Sequence, residues 1–135
     1  MYQIVQELVF PYGHRLTHHP GGCGNLHGHN GRLQVVLAAD SLDDQGYVMD
    51  FDALNDVLRA VLEETFDHRM ILHKDDPIIP FLLSAGETFV TLDQHPTAEA
   101  IARALYDQLS ERGLPAVEVR LYETPTSLAI YRPGG

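Results

Sequence analysis

Between Leu26 and Ala39 the chain alternates as a long, half-buried strand does: Leu33, Val35 and Leu37 share odd positions, and His27 and His29 continue the same row. Successive side chains of a strand point to opposite faces, so this row lies on one side of a sheet and needs an apolar cover. Two stretches can supply it. After Asp50, a good N-cap residue, Leu54, Val57, Leu58, Val61 and Leu62 recur at helical spacing. After Pro96 and Thr97, Ile101, Leu105 and Leu109 do the same until Gly113 and Pro115 stop the helix. Further strands are read over Tyr2 to Phe10, Val117 to Glu123 and Leu128 to Arg132. The order ββααββ predicts an α+β layer, a four-stranded antiparallel sheet with two helices on one face. Pro11 and Gly13 are expected to end the first strand, and Phe66 to Arg69 to close the first helix. Asp75, Asp76, Pro77 and Pro80 are expected to break regular structure, with Glu87 to Leu92 a short extra strand. The uncovered sheet face is left to solvent or to a second copy, so oligomerisation is expected.

The histidines give this sheet a chemistry. His27 and His29 point the same way with Gly28 adding no bulk between them, and His14 follows the end of the first strand. Three imidazoles on one face form a site that leaves zinc an open position, and catalytic zinc is the first hypothesis. A pair of histidines bonded to one another is the plainer reading. Pro20, Gly21, Gly22 and Gly24 mark a turn-rich loop that carries the only cysteine, Cys23. A divalent cation nearby favours a thiolate that acts as base or nucleophile. The competing reading makes Cys23 a fourth ligand and the site structural.

Asp67-His68 pairs a carboxylate with an imidazole whose tautomer it can fix, which suits a proton shuttle; a histidine also suits a helix C-terminus. Glu123 shares parity with Val117, Val119 and Leu121, so an apolar row ends in a carboxylate facing the covered side. There it needs a cationic or amide-like partner, unless the strand stops short and Glu123 lies in solvent. Thr97 and Glu99 read as capping residues of the second helix.

At 135 residues the chain is expected to be one domain, residues 1–135, with a core that needs no structural metal. Its net charge of -10, with 9 basic among 19 acidic residues, argues against nucleic acid and for a small substrate. Local positive charge would come from zinc, Arg15, Arg32 and Arg69. No apolar run approaches the ~20 residues of a membrane span. No signal peptide is expected before Tyr2, and a lone cysteine fits a reducing compartment, so the expected location is cytoplasmic.

Taken together, several ordered motifs resemble the tunnelling-fold family that includes 6-pyruvoyltetrahydropterin synthase and the 6-carboxytetrahydropterin synthase of queuosine biosynthesis. They are Gly13-His14-Arg15-Leu16, Cys23 to His29, Met49-Asp50-Phe51, Asp67-His68-Arg69 before Leu72, Pro96-Thr97-Ala98-Glu99 and Tyr122-Glu123-Thr124. The resemblance implies that His14, His27 and His29 hold zinc and that Cys23, Asp67 and His68 transfer protons. It also implies that Glu123 anchors the amino-pyrimidinone edge of a pterin, with Thr97 and Glu99 among the substrate-binding residues. Cys23 stands four residues before His27, a spacing similar to that of the bacterial 6-carboxytetrahydropterin synthases. The implied reaction converts 7,8-dihydroneopterin triphosphate to 6-carboxy-5,6,7,8-tetrahydropterin, releasing acetaldehyde and triphosphate. The implied assembly is a trimer or a hexamer with active sites at subunit interfaces. Pro11-Tyr12-Gly13 stands where the family often has small residues, and the segment from His73 to Asp93 is longer than in compact members.

Other classes fit less well. A cysteine hydrolase built on Cys23, His68 and Asp67 has no need of three more histidines. A cupin follows its His-x-His with Glu within a few residues, where this chain has Leu33 and Gln34. A non-catalytic zinc module, with Cys23 on the metal, is the true rival.

Overall fold

The structure, a computed structural model, describes residues 1–134. Its centre is a thirteen-residue antiparallel pair, β1 (Tyr2–His14) and β2 (His27–Ala39), in register from Tyr2 opposite Ala39 to His14 opposite His27. The even row of β1 (Leu8, Phe10, Tyr12, His14) and the odd row of β2 (Leu33, Val35, Leu37) are buried on one face. The helices α1 (Phe51–Glu64) and α3 (Ala98–Glu111) cover that face. Asp50 caps α1 by accepting from the Ala53 N–H, and Leu54, Leu58, Val61 and Leu62 turn into the core. Thr97 caps α3 by accepting from the Ala100 N–H at 3.1 Å, and Ile101, Leu105 and Leu109 turn inward. Gly113, at φ 80, reverses the chain after α3.

The expected α+β layer is present, and its sheet is larger than expected. Six strands replace four, in the order β4-β3-β1-β2-β5-β6, with β5 (Ala116–Thr124) and β6 (Ser127–Tyr131) antiparallel at one side. The added strands β3 (Arg69–His73) and β4 (Phe89–Leu92) run parallel, β3 to β1 and β4 to β3. Between them α2 (Ile79–Ala85) takes Pro80 into its first turn, where a proline costs a helix nothing. Helix α1 ends at Glu64 and is closed by the turn that follows, where the Phe66 and Asp67 N–H groups donate to the Leu62 carbonyl, while Arg69 already belongs to β3. No helix is long and apolar enough to cross a membrane among the described residues.

Pro11 does not stop β1. Within a strand, a residue's N–H and C=O point to the same edge, and the Pro11 carbonyl accepts from the His68 N–H at 2.8 Å. The missing N–H therefore faces away from β2 and leaves that ladder intact. Strand β1 thus carries His14 as a strand residue rather than as the opening of a loop. The parity of β5 holds for Val119 and Leu121 and breaks at Val117. There a bulge opposite Val36 and Leu37 turns Ala116 inward instead.

Candidate active site

The paired ends of β1 and β2 bring the three histidines together. Ring centroids lie 4.6 Å apart for His14 and His27, 5.0 Å for His14 and His29, and 4.9 Å for His27 and His29. One ligand nitrogen from each falls within 4.8 Å of the others, and Cys23 is not in the group. The His14 Nδ1–H donates to the Pro96 carbonyl and the His27 Nδ1–H donates to the Asn25 carbonyl, each at 2.7 Å. A carbonyl only accepts, so these bonds fix both tautomers and leave Nε2 as a lone pair on each ring.

The His14 Nε2 lies 3.1 Å from the His29 Nε2 and 3.2 Å from a Glu123 carboxylate oxygen, which is 3.6 Å from the His29 Nε2. A proton on His29 satisfies only one of these neighbours at a time, whereas a cation satisfies all of them. Zn–N bonds of about 2.0–2.1 Å place tetrahedral ligand nitrogens about 3.3 Å apart, so the donor set fits zinc, with the His14 and His29 nitrogens already near that spacing. Burial pushes the His29 imidazole below its ordinary value, opposed by the Glu123 charge and reinforced by His14 and His27.

Glu123 continues the inward row of Val119 and Leu121, and a second irregularity of β5, between Tyr122 and Thr124, leaves it as the extra residue opposite β6. Glu123 and Glu99 line one groove of about 430 Å³ with Ala98 and Leu128. The Thr97 hydroxyl is engaged by the helix cap. A larger cleft of about 730 Å³ is lined by Tyr12, His27, His29, His68 and Met70. The structure thus brings His68 to the histidines from one side and Glu123 from another.

Cys23 lines neither space. It is half-buried in a single 3₁₀ turn, Gly22–Gly24, whose carbonyl at Cys23 accepts from the Leu16 N–H at 2.8 Å. A Cβ at Gly24 would fall 2.6 Å from the His19 carbonyl oxygen, so glycine is required there. His68 is the one non-glycine residue with positive φ among the described residues, at 57°, and its Nδ1–H donates to Asp67 at 2.8 Å. Its ring is 78% exposed. Such a backbone is strained, and strain of this kind gathers at functional sites.

Three supports of the site are unannounced by the sequence, and a fourth, Arg15, was expected to offer its charge to the substrate. The carbonyls of Pro96 and Asn25 are backbone acceptors without a sequence signature. Arg15 grips the buried Asp76 through two N–H groups, Nε at 2.9 Å, and ties the segment after β3 to the end of β1. Tyr12, in the row of His14, falls in the Pro11-Tyr12-Gly13 stretch expected to end the first strand, and is instead buried. Burial, then the Glu123 charge, pushes its phenol well above the ordinary value.

The family model for 6-pyruvoyl tetrahydropterin synthase matches residues 3–134. The chain is similar to the 6-carboxy-5,6,7,8-tetrahydropterin synthase of Aquifex aeolicus, with 35% identity over 97% of this chain and 98% of that one. It is also similar to the enzyme of that name from Rickettsia conorii, with 32% identity over 93% and 96%. Its fold is similar to the 6-pyruvoyl tetrahydropterin synthase of Caenorhabditis elegans, with a TM-score of 0.70, 25% identity, and 99% and 98% of the chains covered. Matched almost end to end, with its histidines gathered as described, the chain is an enzyme belonging to the 6-pyruvoyl tetrahydropterin synthase family.

Proposed function

We propose that this chain is a zinc-dependent lyase converting 7,8-dihydroneopterin triphosphate to 6-carboxy-5,6,7,8-tetrahydropterin, with release of acetaldehyde and triphosphate, in queuosine biosynthesis. The observation that carries the reading is the convergence of His14, His27 and His29 with a carboxylate beside them. A purely structural zinc site has no need of that carboxylate, whereas a pterin presents an N–H and an amino group that one carboxylate can accept as a bidentate pair. Support for the product comes from the names of the Aquifex and Rickettsia relatives.

In this reading His14, His27 and His29 hold zinc. When bound, zinc supplies a Lewis acid beside the substrate's side-chain hydroxyls and stabilises charge developing on oxygen. Glu123 orients the pterin, with Glu99 on the rim of the same groove and Thr97 setting the start of α3 behind it. Cys23 removes or delivers a proton on one side of the substrate. His68, with Nδ1–H committed to Asp67, does so through Nε2 on the other; each step is worth about 100- to 10,000-fold.

The reading includes an assembly. Among the described residues, the edge of β1 from Tyr2 to Pro11 has no strand partner beside β2, and β6 is the outer strand at the opposite side. Joining β6 of one copy to β1 of the next would satisfy both edges and build a closed trimer, with two trimers pairing as a hexamer. Exposed His68 would then enter a site shared between subunits, in a cytoplasmic enzyme.

Mass spectrometry of products from the purified chain with dihydroneopterin triphosphate tests this. Acetaldehyde with 6-carboxytetrahydropterin is expected. A 6-pyruvoyl product without acetaldehyde would favour simple triphosphate elimination, and no turnover with zinc present would leave a non-catalytic zinc module.

A further inference from the structure

Tyr12 is 3% exposed, and its hydroxyl is buried with no hydrogen-bond partner among the described residues. Buried phenols ordinarily find one, so an orphan beside a candidate site asks for an explanation. The ring stands opposite His29 in the β1–β2 register and is stacked on Phe10 at 5.3 Å. It meets His14 edge-on at 5.4 Å and His29 at 5.6 Å. It lies over Gly31, where a Cβ would fall 2.8 Å from the Tyr12 ring and 3.2 Å from that of Phe10. Glycine at position 31 is thus the condition for an aromatic ring crossing β2. On the far side, one step beyond the Arg32–Tyr122 pair, the register brings Glu123 of β5.

We infer that the Tyr12 hydroxyl is the donor that positions the Glu123 carboxylate for the pterin, an inference resting on the reading of Glu123 as the pterin anchor. Glu123 here leans on the Nε2 atoms of His14 and His29. These are the same atoms that ligate a metal, and once they do the carboxylate loses both contacts. It then needs another donor to keep one oxygen fixed. The phenol O–H lies on the same buried face with no other use, and an ionised carboxylate has about four lone-pair sites, enough for the phenol and a bidentate ligand together. Tyr12 is therefore a positioning residue that acts through Glu123, without touching the reacting atoms.

Tyr12→Phe removes only the hydroxyl and preserves the ring that packs over Gly31. Zinc content and neopterin affinity, the latter by fluorescence titration, are compared for the full zinc-loaded chain, Tyr12→Phe, Glu123→Gln and the double variant. Tyr12→Phe is expected to keep its zinc and to weaken neopterin binding by about tenfold, the scale of a hydrogen bond to a charged group. The double variant is expected to bind no more weakly than Glu123→Gln alone, a coupling that a merely structural role would not produce. Unchanged affinity in Tyr12→Phe, full additivity in the double variant, or zinc loss in Tyr12→Phe would each overturn the inference. Parental affinity in Glu123→Gln would instead remove the anchor reading itself. If Tyr12→Phe still bound weakly in that event, Tyr12 would touch the ligand directly, and its role through Glu123 would be refuted.

Discussion

Replacing His68 by glycine separates what its side chain does from what its backbone stores. At φ 57 the residue occupies left-handed space, which costs an ordinary L-residue about 1–2 kcal/mol and glycine nothing. Against that relief stands the greater freedom of glycine in the unfolded chain, about 0.4–1 kcal/mol. The ring is 78% exposed, so no core packing is lost. His68→Gly should therefore be as stable as the parent or more stable by up to about 1.6 kcal/mol. His68→Ala keeps the strain and should fall below the glycine variant by about 1 kcal/mol, near 4 °C in Tm. Both should lose turnover of dihydroneopterin triphosphate by about 100- to 10,000-fold, because each lacks the imidazole. Urea unfolding at one fixed protein concentration, beside a product assay, reads both quantities. A glycine variant that turns over like the parent would refute the proton-transfer role, and one less stable than alanine would refute the strain.

Cys23→Ala should keep its zinc, since Cys23 lies outside the histidine group, while turnover collapses; metal lost in proportion to activity would return the sulfur to the metal. Asp76 makes a pH prediction. The hydrogen bond from Arg15 holds its carboxyl below the ordinary range against burial, helped by the Ile78 N–H. Its folded value lies below the unfolded value of about 3.9. The stability it contributes is therefore complete above about pH 4 and is lost as pH falls through the lower folded value. Asp76→Asn should lower stability at neutral pH by about 3 kcal/mol and flatten the acid limb below about pH 4. Parallel stability-against-pH curves for parent and variant would contradict that pairing.

The parts of the molecule that were legible in the sequence are those with a local period. The odd row of β2 carried His27 and His29 to the covered face, and helical spacing found the buried sides of α1 and α3. The parity of β5 turned Glu123 toward the histidines. What could not be read depends on neighbours distant in sequence. β3 is five residues long with Ile71 and Leu72 both fully buried, so it shows no alternation. Pro11 is harmless within β1 only because its missing N–H faces the edge toward His68. The bulge at Val117 breaks parity without a glycine to announce it. The unpartnered Tyr12 hydroxyl becomes visible only when the ring is seen over Gly31.

The zinc content of the purified chain, measured beside that of His14→Ala, His27→Ala and His29→Ala, bears most directly on the centre. The three convergent nitrogens predict one zinc per parent chain and loss of most of it when any one ligand is removed. Full zinc retention in His27→Ala would contradict the three-histidine site.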